Sequence, residues 1–190
     1  MDLRSSLTLK NKSRILLAVN RKLIFVVLIL TFLLSSPCLA GPVIKVGSPP
    51  PPLELPNLKG ELISLDTLLA KKTIVLLFGT TWSKVCQDEL IYLASLYEKY
   101  KNRELEIIAV SFDSQASKLE AFRDNNKIPY TLLIDKKHIS LNEFRILIIP
   151  TIFVIDKFGY LRNIYVDFDE NIQKLLDQEI DKLTSPIEKK

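Results

Sequence analysis

The chain has 190 residues, a formal charge of +4 and a single His. The charge is uneven: residues 1–40 hold six basic side chains (Arg4, Lys10, Lys12, Arg14, Arg21, Lys22) against Asp2. The remaining 20 basic and 21 acidic residues leave 41–190 at about −1. The mature region therefore has no basic footprint for nucleic acid, and one His with so few Cys excludes a metal site built from those ligands.

Residues 1–40 read as an export signal or a membrane anchor. A basic stretch ends at Arg21-Lys22, an apolar run of 12 residues follows from Leu23 to Leu34, and Cys38-Leu39-Ala40 offers a small-residue cleavage point. That run fits a signal's apolar region better than a spanning helix, which needs roughly 20 residues. Ser35-Ser36-Pro37-Cys38 is a poor match to a lipobox. Residues 41–52, with the run Pro49–Pro52, predict an extended spacer between the membrane side and the domain. One domain is expected over 53–184, with a polar tail at 185–190.

Within the domain, alternation on either side of Asn57-Leu58-Lys59-Gly60 predicts a hairpin from Leu53–Leu58 and Glu61–Leu65. Asp66 is placed to cap a short helix. Thr73–Phe78 is a continuous apolar run, as in a strand buried on both faces. Apolar residues at Cys86, Leu90, Leu93, Ala94, Tyr97 and Tyr100 recur every three or four positions, predicting an amphipathic helix over 83–101. Leu105–Phe112 predicts a strand, Ala116–Asn125 a helix, and Tyr130–Ile134, Thr151–Ile155 and Tyr160–Val166 further strands. Asp156-Lys157-Phe158-Gly159 reads as a turn, and a last helix covers Glu170–Leu183. Strands alternating with helices and closing on a hairpin give the α/β class, with helices around a mixed sheet.

Cys86 is the only cysteine after residue 40. Once the leader is removed the chain can form no internal disulfide, so this thiol is either inert or reacts with another molecule. In the first turn of its helix it meets the positive end of the helix dipole, which favours thiolate. Glu89 lies at i+3 on the same face, where an ionised carboxylate opposes thiolate or a neutral one relays protons. The two effects are of similar size, about one pKa unit each, so the thiol's reactivity stays open.

The segments VGSPPPPLELPNLKGELISL, VLLFGTTWSKVCQDEL, IIAVSFD and IIPTIFVIDKFGYLR, in this order, resemble the extracytoplasmic branch of the thioredoxin superfamily. The likeness covers roughly Val46–Val166 and is to TlpA/ResA-type thiol-disulfide oxidoreductases and to AhpC/TSA redoxins, or peroxiredoxins. It implies a thioredoxin-like fold, a central mixed sheet flanked by helices with an N-terminal hairpin extension, and no cofactor. In the pattern Trp-Cys-x-x-Cys, Ser83 stands where the attacking cysteine would be, and Cys86 matches the buried resolving thiol. Glu89 matches the pattern's Glu, Ile91 replaces its Pro, and Ile149-Pro150-Thr151 matches the cis-proline loop. The peroxiredoxin pattern gives the same residues other roles. Ser83 becomes the hydroxyl that binds peroxide and Cys86 the peroxidatic thiol. Gly79 takes the place of that pattern's Pro, and its arginine is replaced at Ile149-Pro150.

Two functions follow from the resemblance. The first is an exported redox protein acting through the single thiol of Cys86, assisted by Ser83 and Glu89, with an external thiol reductant or a client protein as partner. The second is an inactive binding module of envelope protein maturation or cytochrome assembly, with a groove framed by Trp82, Ile149, Pro150 and Thr151. Each residue also has a plain structural role: Cys86 as a buried apolar group, Ser83 as a helix N-cap, Trp82 as a packed cover, Glu89 as a solvated helix charge. His138, in a Lys-Lys-His stretch, reads as ordinary surface.

Overall fold

A computed structural model describes residues 44–185; the leader and the last tail residues lie outside that range. The first two strands, β1 (Glu54–Pro56) and β2 (Leu62–Ser64), pair antiparallel with Leu55 opposite Ile63. Their turn is fastened by the Asn57 side chain. Its Oδ1 accepts the N–H groups of Lys59 (2.9 Å) and Glu61 (3.0 Å), and Gly60 takes the left-handed backbone (φ 84°) that the turn requires. A single turn of 3₁₀ helix follows at Leu65–Thr67. Asp66 lies inside that turn and Ser64 stands at the cap position, so the expected Asp66 cap is not made.

Five strands form the main sheet, β3 (Thr73–Gly79), β4 (Leu105–Ser111), β5 (Thr131–Ile134), β6 (Thr151–Ile155) and β7 (Leu161–Val166), in the order β5-β4-β3-β6-β7. β3, β4 and β5 run parallel, whereas β6 and β7 are antiparallel to their neighbours. Helices α1 (Lys84–Tyr100) and α2 (Ala116–Asn126) make the two crossovers that parallel pairing demands. α3 (Ile139–Glu143) is short, and α4 (Glu170–Thr184) closes the described chain. Asp169 caps α4 by accepting the Ile172 N–H at 2.8 Å.

All seven residues of β3 are buried, and they split by alternation between two cores. Val75 and Leu77 face Leu90, Leu93 and Leu96 of α1 with Leu176 and Ile180 of α4. Ile74, Leu76 and Phe78 face the hairpin residue Leu55, with Phe144 and Phe153. Burying such side chains stabilises the fold by about 1.5–3 kcal/mol each, which holds the end of β3, where the site begins, in a fixed frame.

Residues 44–52 lie against the domain and are not extended throughout: 45–48 form a turn in which the Ser48 N–H donates to the Lys45 carbonyl (3.0 Å) and Gly47 takes left-handed backbone (φ 88°). The Gly47 N–H donates to the Leu161 carbonyl (2.7 Å), the Leu161 N–H donates to the Ser48 carbonyl (2.9 Å), and Pro50 and Pro51 are buried. The Asp156–Gly159 turn forms as expected, with Gly159 at φ 87°. His138 is exposed. Among the described residues no helix is long and apolar enough to cross a membrane.

Candidate functional site

β3 ends at Gly79, and its last apolar residue, Phe78, pairs with Thr151 at the start of β6. This register sets the turn 80–83 beside the loop 147–150. The Ile149–Pro150 bond is cis. Ser83 occupies the N-cap position of α1, and Cys86 sits in the helix's first turn. The structure thus brings Ser83, Cys86, Ile149, Pro150 and Thr151 to one end of the sheet.

Cys86 is fully buried. Its thiol pKa is raised, chiefly because burial disfavours the thiolate. The Ser83 hydroxyl and the Thr80 backbone N–H oppose this by hydrogen bonding to the sulfur, and the charges of Glu89 and Asp113 reinforce it. Ser83 makes no side-chain cap bond. Its hydroxyl serves the sulfur instead, so Ser83 is a cap by position only. Gly79 lies hard against the thiol: a Cβ there would stand 3.4 Å from both Cβ and Sγ of Cys86.

Glu89 is not a solvated helix charge. It is completely buried, and neither carboxyl oxygen has a hydrogen-bond partner among the described residues. Burial, helped by the negative charge of Asp167, pushes its pKa up to about 8. At neutral pH it is therefore a carboxylic acid able to give up a proton.

Trp82 is 74% exposed and so does not act as a packed cover. Leu147 and Ile148 are also exposed, at 95% and 57%, while Ile149 is half-buried and Pro150 and Thr151 are buried. The Thr151 hydroxyl fastens this loop by donating to the Ile148 carbonyl at 2.7 Å. Sequence reasoning does not single out Leu147 and Ile148, although the apolar string Ile146–Ile149 ahead of Pro150 is a visible signal. It misses Asp113 and Asp167 as well. Asp113 is buried just past the end of β4. Asp167 has left-handed backbone (φ 72°), and its N–H donates to the Pro150 carbonyl at 3.0 Å. Among the described residues no group of three or more His, Cys, Asp or Glu side chains could hold a metal ion.

The model of the AhpC/TSA family matches residues 46–164. This chain belongs to the AhpC/TSA family. Among relatives, the thiol-disulfide oxidoreductase ResA of Geobacillus kaustophilus (strain HTA426) is 32% identical over 121 residues, 64% of this chain and 69% of ResA. The thioredoxin-like protein YneN of Bacillus subtilis (strain 168) is 30% identical over 141 residues, 73% of this chain and 80% of YneN. A thiol:disulfide interchange protein, DsbE, from Chlorobium tepidum superposes with a TM-score of 0.70 at 22% identity, covering 75% of this chain and all of that one. The peroxidoxin BcpB of Mycobacterium tuberculosis superposes at 0.65 with 19% identity, over 76% of this chain and all of its own. The fold is thioredoxin-like, and the chain is a redoxin of the AhpC/TSA family, related to thiol-disulfide oxidoreductases.

Proposed function

We propose that this protein is an exported redoxin that works through one thiol, Cys86, and hands the second half of its cycle to an external thiol. The observation that carries this reading is the juxtaposition of an unpartnered buried acid, Glu89, with the only thiol of the domain, whose sulfur has Ser83 and Thr80 as hydrogen-bond partners. A buried carboxyl with a pKa near 8 costs stability and gives nothing to packing that an apolar side chain would not give better. Beside a thiol it has a use. Cys86 attacks a peroxide ROOH: the S–O bond forms, the O–O bond breaks, and ROH leaves. The thiol's proton is passed on to the leaving oxygen through Glu89, and the sulfur becomes a sulfenic acid. One external thiol then displaces water to give a mixed disulfide, and a second releases Cys86 as the thiol with an external disulfide as product. Ser83 cannot replace either external thiol, because a hydroxyl forms no disulfide. Export rests on the basic-apolar pattern of residues 1–40, which lies outside the described residues.

A second reading is supported by a different observation. Cys86 has no exposed surface, whereas Trp82, Leu147 and Ile148 are laid open. A groove that holds an extended client without exchange chemistry would look the same. Brief exposure of the full chain to low hydrogen peroxide with a sulfenic-acid trap, mapped by mass to the peptide of Cys86, separates the two. Rapid stoichiometric trapping supports the redox reading. A thiol that stays unmodified until the protein is denatured leaves the binding module.

A further inference from the structure

Asp113 lies just past the end of β4, outside the Trp-Cys-x-x-Cys and cis-proline motifs, yet it is the most heavily bonded side chain near the site. It is 3% exposed. Its Oδ2 accepts the Thr81 N–H (2.8 Å) and the Ser111 hydroxyl (2.5 Å), and its Oδ1 accepts the hydroxyls of Thr81 (2.9 Å) and Thr80 (3.3 Å). Its own N–H donates to the Ser111 oxygen at 3.1 Å. Four donors converge on one carboxylate, and all of them are uncharged. Three of them come from the turn between β3 and α1.

That turn carries the groups that face the sulfur. Thr80 supplies the backbone N–H, and Ser83, three residues on, supplies the hydroxyl. The same turn is gripped from the helix side by Gln87, whose Nε2 donates to the Thr81 carbonyl at 2.6 Å. A short turn left to itself samples several backbone states; fixed by a buried carboxylate on one side and a glutamine on the other, it presents one.

We propose that Asp113 is a positioning residue for the Cys86 site, holding Thr80 and Thr81 so that the Thr80 N–H and the Ser83 hydroxyl are aimed at the sulfur. The proposal rests on Cys86 being the working group of the site. Charge and grip act in opposite directions: the negative charge of Asp113 disfavours the thiolate, while the donors that Asp113 positions favour it. A substitution that keeps the charge and loosens the grip isolates the second effect.

The experiment is a pH titration of thiolate absorbance at about 240 nm in the full chain carrying Cys38→Ser, so that Cys86 alone reports. Thr81→Val removes one hydroxyl donor to Asp113 and leaves its charge. The expected result is an upward shift of the thiol's midpoint by about one pH unit, reversed in Thr81→Ser, which restores the hydroxyl. Ser111→Ala, which cuts the grip from the β4 side, shifts it in the same direction. An unmoved midpoint in both Thr81→Val and Ser111→Ala, with a lowered one in Asp113→Asn, would mean that Asp113 acts only as a charge and would overturn the proposal. The titration reads the thiol whether or not it turns over. A shifted midpoint in a protein whose Cys86 resists peroxide would uphold the positioning role and remove the redox reading; an unmoved midpoint with a peroxide-reactive Cys86 would do the reverse.

Discussion

The carboxyl of Glu89 stands one turn of α1 beyond the thiol of Cys86, and only once it loses its own proton does its charge oppose ionisation of that thiol. Both side chains are completely buried, so neither can relieve the other by turning to solvent. The acid keeps its proton to about pH 8, which leaves a neutral donor beside the sulfur across the neutral range.

Glu89 makes folding stability fall as pH rises. Its folded pKa is raised, so between the ordinary carboxyl value of 4.5 and about 8 the folded chain holds a proton that the unfolded chain has released. Stability is greatest below that window and declines through it, by a total on the order of 4–5 kcal/mol at about 1.36 kcal/mol per unit of pKa. Urea unfolding at pH 5, 7 and 8.5 should show this decline in the wild type and a much flatter profile in Glu89→Gln. A parallel slope in the variant would place the titrating group elsewhere.

Ser83→Ala separates capping from service to the thiol. A serine whose side chain caps a helix costs about 1 kcal/mol when replaced by Ala, but Ser83 makes no such bond. The expected stability change is therefore under about 0.5 kcal/mol, while the Cys86 midpoint rises because the sulfur loses a hydrogen-bond partner. Thermal unfolding and the thiolate titration, run on the same sample, check both halves.

Ser83→Cys tests the placement of the motif. It puts two thiols at the spacing of a Trp-Cys-x-x-Cys site at the start of α1. Under mild oxidation the domain should lose two hydrogens in intact mass and become able to reduce insulin. If the introduced thiol fails to bond with Cys86, the turn before α1 does not hold the geometry of a disulfide oxidoreductase.

Much of the fold is legible in the sequence because its strongest signals are local. The apolar run at β3, the Asn57–Gly60 turn and the Gly159 turn each contain within themselves the reason for their shape. α3 is not legible. It spans five residues, and its N–H groups are met by Asp135 at the end of β5, which accepts from Ile139 (3.1 Å) and Ser140 (2.8 Å). Periodicity needs more than one turn to speak. At the site, helical spacing puts Glu89 on the face of Cys86 but cannot say that this face turns inward at that height. Trp82 fails in the opposite sense: an aromatic beside a thiol suggests cover, and the turn instead carries it outward. The knot at Asp113 depends on β3 and β4 ending level, with Gly79 opposite Ser111, a relation between strands that no single segment contains.

Gly79 is the residue whose enlargement should be felt most directly by the thiol. A Cβ at this position would lie 3.4 Å from Cys86 Cβ and Sγ, tolerable contact for Ala and too little room for a branched side chain. Gly79→Ala should fold with its thiol pinned, lowering the rate of peroxide trapping at Cys86. Gly79→Val should cost about 1–3 kcal/mol, the usual penalty of overpacking a well-filled core. Denaturant unfolding reads the second effect and the sulfenic-acid trap the first. If Gly79→Ala reacts as fast as the wild type, the space beside Sγ is not what the reagent uses. The approach to Cys86 would then have to open from the side of Pro150 and Trp82, and substitutions there, with stability unchanged, would become the ones to alter the rate.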